Sequence, residues 1–303
     1  MKIAFLFAGQ GAQAVGMGKD FYDNYEIAKS IYDEFPNVRD LCFNGPADLL
    51  NQTKFAQPAM LLTSYVIAKV LEAHNILPEY ACGLSLGEYS ALAFANAWKL
   101  DDALKIITCR GDIMQNALPV GTTKMAAVIG LDRNIILDTI KDIPGVCEIA
   151  NYNCPGQIVI TGDNNAIDLA MPKLKEAGAR RVLPLNVSGA FHSSLLNAAS
   201  KELRKVLNKY NHNNPRFKII YNVSGHEEND ELNDLLERQI CNSVYFEDSL
   251  KYLNDQGVDT YIEIGPGQTL TSFVKKTLTD VNSFNVSNVS GLVNLIEGLK
   301  SGN

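Results

Sequence analysis

Tyr80-Ala81-Cys82-Gly83-Leu84-Ser85-Leu86-Gly87-Glu88 is the stretch on which the fold turns. Residues 80–82 form a short apolar run suited to a buried strand, and residues 88–97 carry the small residues of a packed helix. Between them Gly83-Leu84-Ser85-Leu86-Gly87 fits G-x-S-x-G. A sharp strand-to-helix turn pushes a serine hydroxyl out of a sheet, and flanking glycines remove the clashes such a turn creates. The N–H of Leu86, at the start of the helix, is placed to stabilise an oxyanion. The bland alternative, an ordinary strand–helix turn, lacks only a reason for the serine.

Working outward, residues 3–8 read as a buried strand closed by a glycine turn, and residues 57–72 as an apolar helix with Pro58 at its first position. Residues 101–114 form another helix. Strands alternating with helices predict a mainly parallel sheet in an α/β protein. The middle of the chain differs. Strands are expected at 125–130, 148–152, 157–161 and 181–187, with helices at 133–141 and 166–177. That β-α-β-β-α-β order is the ferredoxin-like one, and it predicts a subdomain over residues 123–187 inserted between 1–122 and 188–303. Beyond it, helices are expected at 194–209, 230–241 and 246–256, and strands at 217–223 and 260–264. The asparagine-rich tail from residue 282 predicts nothing.

The 303 residues are 46% apolar and 20% charged, the balance of a water-soluble globular protein with room for a large core. A formal charge of −7 argues against nucleic acid as a partner. No run of about 18 apolar residues is present, so no membrane span is expected. The apolar 3–7 stretch ends at Gly9, too early for a secretion signal. Cysteines 42, 82, 109, 147, 154 and 241 form no C-x-x-C pair and no cluster with histidine. Neither a metal site nor a disulfide framework is expected, and scattered thiols suggest the reducing cytoplasm.

A nucleophilic serine needs a base. Of four histidines, His74 lies within a helical pattern, His212 in Asn211-His212-Asn213-Asn214, and His226 in an acidic turn. His192, in Gly189-Ala190-Phe191-His192-Ser193-Ser194, follows a strand and precedes a helix, where an α/β site gathers its residues. Elimination selects it, against the alternative of a packed histidine at a helix start. A hydrolase of this type would place an acid between serine and a late histidine. None stands out here, and 111 residues follow His192, so a backbone or amide oxygen is the expected orienter.

Several segments together resemble the malonyl-CoA:acyl-carrier-protein transacylase family over nearly the whole chain. They are Ala8-Gly9-Gln10-Gly11-Ala12-Gln13, the serine turn with Glu88, Arg110 in Cys109-Arg110-Gly111, Asn151-Tyr152-Asn153-Cys154-Pro155-Gly156-Gln157, His192, Gln239-Ile240-Cys241-Asn242-Ser243-Val244-Tyr245-Phe246, and Glu263-Ile264-Gly265-Pro266-Gly267. Five positions depart from the family pattern. Ala8 and Ala12 replace Pro and Ser, Leu84 replaces the histidine before the nucleophile, and Ser243 and Phe246 replace Pro and Trp.

The resemblance implies an α/β-hydrolase-like core around the ferredoxin-like unit. It also implies that a malonyl group passes from malonyl-CoA to the pantetheine thiol of an acyl carrier protein, by way of Ser85. It assigns oxyanion-hole N–H groups to Gln10 and Leu86, the malonyl carboxylate to Arg110, the main-chain oxygen orienting His192 to Gln239, and the cleft lining to Gln57 and Asn153. Phe191 matches malonyl-selective members, which implies exclusion of an α-methyl group. No cofactor is needed, since the phosphopantetheine belongs to the partner, and a monomer is expected. The bland reading of Arg110 is a pair with Asp112 on a solvated helix face. Lys173, Lys175, Arg180, Arg181, Lys275 and Lys276 are candidate docking cations for an acidic carrier.

Three other readings compete. Gly9-Gln10-Gly11-Ala12-Gln13-Ala14 satisfies a dinucleotide fingerprint, but residues 25–35 are helical in pattern where a second strand is required. A plain serine hydrolase and a non-catalytic carrier-protein binder are the others.

Overall fold

A computed structural model describes residues 1–185 and 189–301. Its ten strands are β1 (Ile3–Phe7), β2 (Tyr80–Gly83), β3 (Thr123–Ile129), β4 (Cys147–Cys154), β5 (Gln157–Asp163), β6 (Arg181–Pro184), β7 (Lys218–Ile219), β8 (Val244–Tyr245), β9 (Thr260–Ile264) and β10 (Asn282–Val286). They form two five-stranded sheets. One, in the order β10-β9-β1-β2-β7, is parallel throughout. The other, β6-β3-β5-β4-β8, is antiparallel except where β8 joins β4. The protein is thus an α/β fold with one parallel and one mixed sheet.

The parallel sheet is central because its strands are apolar on both faces. Every residue of β1, β2 and β9 is buried, as parallel sheets flanked by helices require. Phe5, Phe7 and Phe94 meet with ring centroids 5.8–6.4 Å apart, joining β1 to the helix Leu86–Phe94. The mixed sheet has a core of its own, in which Val128, Ile149 and Ile160 pack with Ile136 and Ile167 from the helices Arg133–Ile140 and Asn164–Glu176.

Several expected elements shift. The helix expected from residue 57 begins at Thr53, so Pro58 lies inside it rather than at its first position. Its missing N–H removes one bond near the helix start, and the unbroken burial of residues 56–64 holds the turn. The strand expected at 217–223 shortens to β7, because the chain turns back at Tyr221, whose carbonyl accepts from Gly225 N–H at 2.8 Å. The strand expected at 181–187 is assigned only over β6, and residues 186 and 187 lie outside the described residues. β8, a two-residue strand, and β10, in the asparagine-rich tail, are additions. The glycine pair after β1 opens no helix, the next one being Lys19–Asn24, so the dinucleotide reading lacks its phosphate-binding turn.

Candidate active site

The serine turn forms where β2 runs into the helix Leu86–Phe94. Ser85 takes φ 54° and ψ −103°, a region non-glycine residues rarely enter. The turn is so tight that a Cβ on Gly83 would lie 2.1 Å from the Gly87 carbonyl carbon, and one on Gly87 would lie 2.1 Å from the Phe7 oxygen. Only glycine fits at either place. Leu86 is the first helical residue, so its N–H has no preceding turn to supply an acceptor.

His192 lies in the turn before Ser194–Leu196 and is itself left-handed, at φ 59°. Its Nε2 is 2.8 Å from Ser85 Oγ, and its Nδ1 is 2.8 Å from the main-chain oxygen of Gln239. A carbonyl oxygen only accepts, so the proton sits on Nδ1 and Nε2 is left free to accept from the serine hydroxyl. Burial, with the nearby Arg110 cation adding to it, pulls the imidazole down to about 4. The ring is therefore neutral at physiological pH, as a base must be.

Arg110 is fully buried on the helix Leu100–Asn116. Nη1 donates to Gln57 Oε1 at 2.8 Å, while Nη2 donates to Gln239 Oε1 at 2.9 Å and to Ser85 Oγ at 3.1 Å. Tyr89 lies beneath the guanidinium, 4.9 Å from its carbon. Asp112 does not pair with it but faces Lys54 at 3.6 Å. The solvated ion-pair reading of Arg110 therefore fails. A buried cation whose direct partners are neutral amides and a hydroxyl, with only the more distant Glu88 carboxyl to offset its desolvation, is a planar fork that suits a carboxylate.

These residues line a cleft of about 900 Å³ between the two sheets. Gln10 enters from the loop after β1, its amide nitrogen 3.2 Å from Thr53 Oγ1. Phe191 and Gln57 line the cleft, the latter also reaching Met114 Sδ at 3.6 Å. Asn153, on β4, is 6% exposed, and among the described residues its Oδ1 has no partner. The residues singled out from the sequence as catalytic or substrate-binding thus meet in one cleft, apart from Gln239, which is buried just behind it; the candidate docking cations lie outside its lining.

Sequence reasoning missed Asn222 and gave Glu88 no role. Asn222 accepts from Ser85 N–H at 2.8 Å, and its own N–H donates to Glu88 Oε2 at 2.6 Å. Burial pushes the Glu88 carboxyl up to about 7. The only signal in the sequence was a polar residue at the end of a run read as strand.

A serine bonded to a neutral imidazole, with a free amide at a helix start, is equipped for acyl transfer. The chain matches the acyl transferase domain family over residues 4–295, which makes it an acyltransferase. The malonyl CoA-acyl carrier protein transacylase of Bacillus subtilis (strain 168) is 39% identical over 312 residues, covering 100% of this chain and 98% of the relative. The structure of the enzyme of that name from Clostridium perfringens superposes with a TM-score of 0.97 at 39% identity, covering 99% of this chain and 98% of the other. A malonyl-transacylase solved in complex with a type II PKS acyl-carrier protein superposes with a TM-score of 0.94 at 33% identity, covering 98% of this chain and all of the other, 100%. The chain belongs to the malonyl CoA-acyl carrier protein transacylase family.

Proposed function

We propose that this chain moves a malonyl group from malonyl-CoA to the pantetheine thiol of an acyl carrier protein through a malonyl ester of Ser85. The observation that carries the reading is Arg110, a buried guanidinium whose Nη2 lies 3.1 Å from the Ser85 hydroxyl. A site for neutral acyl groups has no use for a cation there.

In the first half-reaction Ser85 Oγ attacks the thioester carbonyl while its proton passes to His192 Nε2. The tetrahedral oxyanion is held by the N–H groups of Gln10 and Leu86. As the C–S bond breaks, the imidazolium returns its proton to the coenzyme A sulfur. In the second, the carrier thiol gives its proton to His192 and attacks the ester, and the proton then returns to Ser85. Charge begins and ends balanced, so the exchange calls for no metal or redox group. The Gln239 carbonyl keeps the Nδ1–H tautomer throughout, replacing a triad acid. The loss of one oxyanion donor typically costs ~3–4 kcal/mol.

The finer architecture belongs to the same reading. Residues 123–185 form a ferredoxin-like unit, supported by the strand order β6-β3-β5-β4, inserted in a hydrolase-like core. β8, from the core's later half, extends it. Six unpaired cysteines agree with a cytoplasmic site of action.

Intact-mass analysis after incubation with malonyl-CoA tests the function. The parent should gain one malonyl group and Ser85→Ala none. A normal adduct on Ser85→Ala would sink the assignment.

A further inference from the structure

We infer that Asn222 is the positioning residue of the nucleophile: its side-chain amide continues the sheet ladder beyond the end of β7 and so holds Ser85 in its left-handed conformation. This deepens the proposed function and rests on Ser85 being the nucleophile.

The ladder between β2 and β7 runs with a period of two. Lys218 N–H donates to Glu79 O at 3.2 Å, and Ile220 N–H to Ala81 O at 3.0 Å. The next backbone bond would go to Gly83 O, but the chain turns at Tyr221. Asn222 fills the gap with its side chain. Nδ2 donates to Gly83 O at 2.7 Å, and Oδ1 accepts from Ser85 N–H at 2.8 Å. The amide thus stands in for one residue of strand, carrying the pairing through residues 79, 81, 83 and 85. It does so at the point where a backbone in the ordinary β region could not follow, because Ser85 has left that region.

The other groups of Asn222 are also committed. Its N–H, released from the ladder, donates to Glu88 Oε2 at 2.6 Å, and its carbonyl accepts from Tyr245 N–H at 2.9 Å. Gln239 Nε2 lies 3.3 Å from Asn222 Oδ1 and 2.9 Å from Ser85 O. Asn222 is fully buried, and its bonds to Gly83, Glu88 and Gln239 are made away from water. A conformation as sparsely populated as that of Ser85 persists only when its surroundings over-determine it. Here the amide plane clamps the carbonyl before the turn and the N–H at its apex. Glu88, two residues into the following helix, fixes the backbone from which that amide projects. Asparagine is required because the two sites need one acceptor and one donor at a fixed separation. Aspartate offers only acceptors when ionised, and leucine of similar shape offers neither.

The test is single-turnover malonyl loading by Asn222→Ala. The variant leaves Arg110 and the cleft walls in place, so KM for malonyl-CoA should change less than about three-fold while the loading rate falls about 100-fold, the scale of two lost buried hydrogen bonds. Labelling of Ser85 by a fluorophosphonate, which has no carboxylate to bind, should fall in parallel. Loading within about three-fold of the parent overturns the inference, as does a loss confined to KM. Should Asn222→Ala fail to fold by circular dichroism, Asn222→Asp decides. It keeps the acceptor for Ser85 N–H and loses the donor to Gly83 O, so an intermediate loss in rate at unchanged KM is expected, and parental loading overturns the role. Ser85→Ala run alongside separates the two failures. An adduct persisting there faults the nucleophile assignment, whereas one absent there and normal in Asn222→Ala faults only the positioning role.

Discussion

The two walls of the cleft are built on opposite terms. On the parallel-sheet side the side chains that hold the Ser85 turn are committed, with Asn222, Gln239 and His192 bonded at 2.7–3.3 Å. On the mixed-sheet side Asn153 is buried with an oxygen that meets no partner among the described residues. Native structures hold few such orphans, and each points to strain or to a ligand not yet in place. Under the proposed function, the groups that aim the serine are satisfied in advance, while Asn153, on the wall that would receive the acyl-pantetheine chain, is left wanting. Geometry that must not move is fixed by the protein alone, and geometry that selects is completed by the substrate.

That contrast can be broken at its seam first. Arg110 bonds Ser85 from the parallel-sheet side and turns a buried cation to the cleft, so Arg110→Ala should reduce malonyl transfer by about 10- to 150-fold more than acetyl transfer, the range of ~1.5–3 kcal/mol for a charged hydrogen bond. Steady-state rates with both thioesters measure it, and equal losses would make Arg110 structural.

The satisfied wall makes its own forecast about acid. With His192 held down to about 4, the base is neutral well below the usual histidine range. Loading should stay level from pH 8 to about 5 and lose about tenfold between pH 5 and 3, as protonation removes the acceptor. A midpoint near 6.5 would mean an ordinary imidazole and an open site.

On the facing wall, Asn153→Ala removes a group whose oxygen has no partner among the described residues. Thermal stability should hold or rise slightly, while KM for malonyl-CoA rises about 2- to 10-fold, as expected for one neutral hydrogen bond. A drop in Tm with unchanged KM would show that Asn153 is satisfied after all.

The smallest effect is expected at the rim. Arg181 on β6 sits in register with Ile129, which faces Gln157, and Lys276 Nζ reaches Gln157 Oε1 at 3.1 Å. These exposed cations therefore gather at the strand ends that edge the cleft. Replacing Arg180 and Arg181 with Glu should slow transfer to the carrier a few-fold at low salt and leave loading from malonyl-CoA unchanged. The difference should shrink as the Debye length falls from about 10 Å at 0.1 M towards 3 Å at 1 M.

How far the sequence carried these conclusions depended on whether a residue acts through its neighbours in the chain or through space. Ser85 was legible because its strand, its glycines and its helix are contiguous. The strand at Thr260–Ile264 was readable for the same reason, as an apolar run ended by glycine. Arg110 could be placed on a helix but not assigned a partner, since Gln57 and Gln239 lie 53 and 129 residues away. Asn222 was invisible. Its role depends on a ladder ending one residue early, and β7 is too short for periodicity to mark its end. β8 escaped for a related reason, being two residues that pair with β4, more than 90 residues earlier.

That short strand has a mechanical consequence. Tyr245 stacks on Tyr152 of β4 with centroids 5.0 Å apart, and its backbone N–H is bonded to the carbonyl of Asn222. A single residue is therefore anchored in the mixed sheet at one end and in the turn-holding asparagine at the other. It works as a guy-line. Any displacement of β8 with the mixed sheet would act on Asn222 and, through it, on Ser85. Under the proposed function, the seat of the mixed sheet and the aim of the serine are thus mechanically joined, so a carrier that shifted that sheet on docking would also disturb the serine it came to reach.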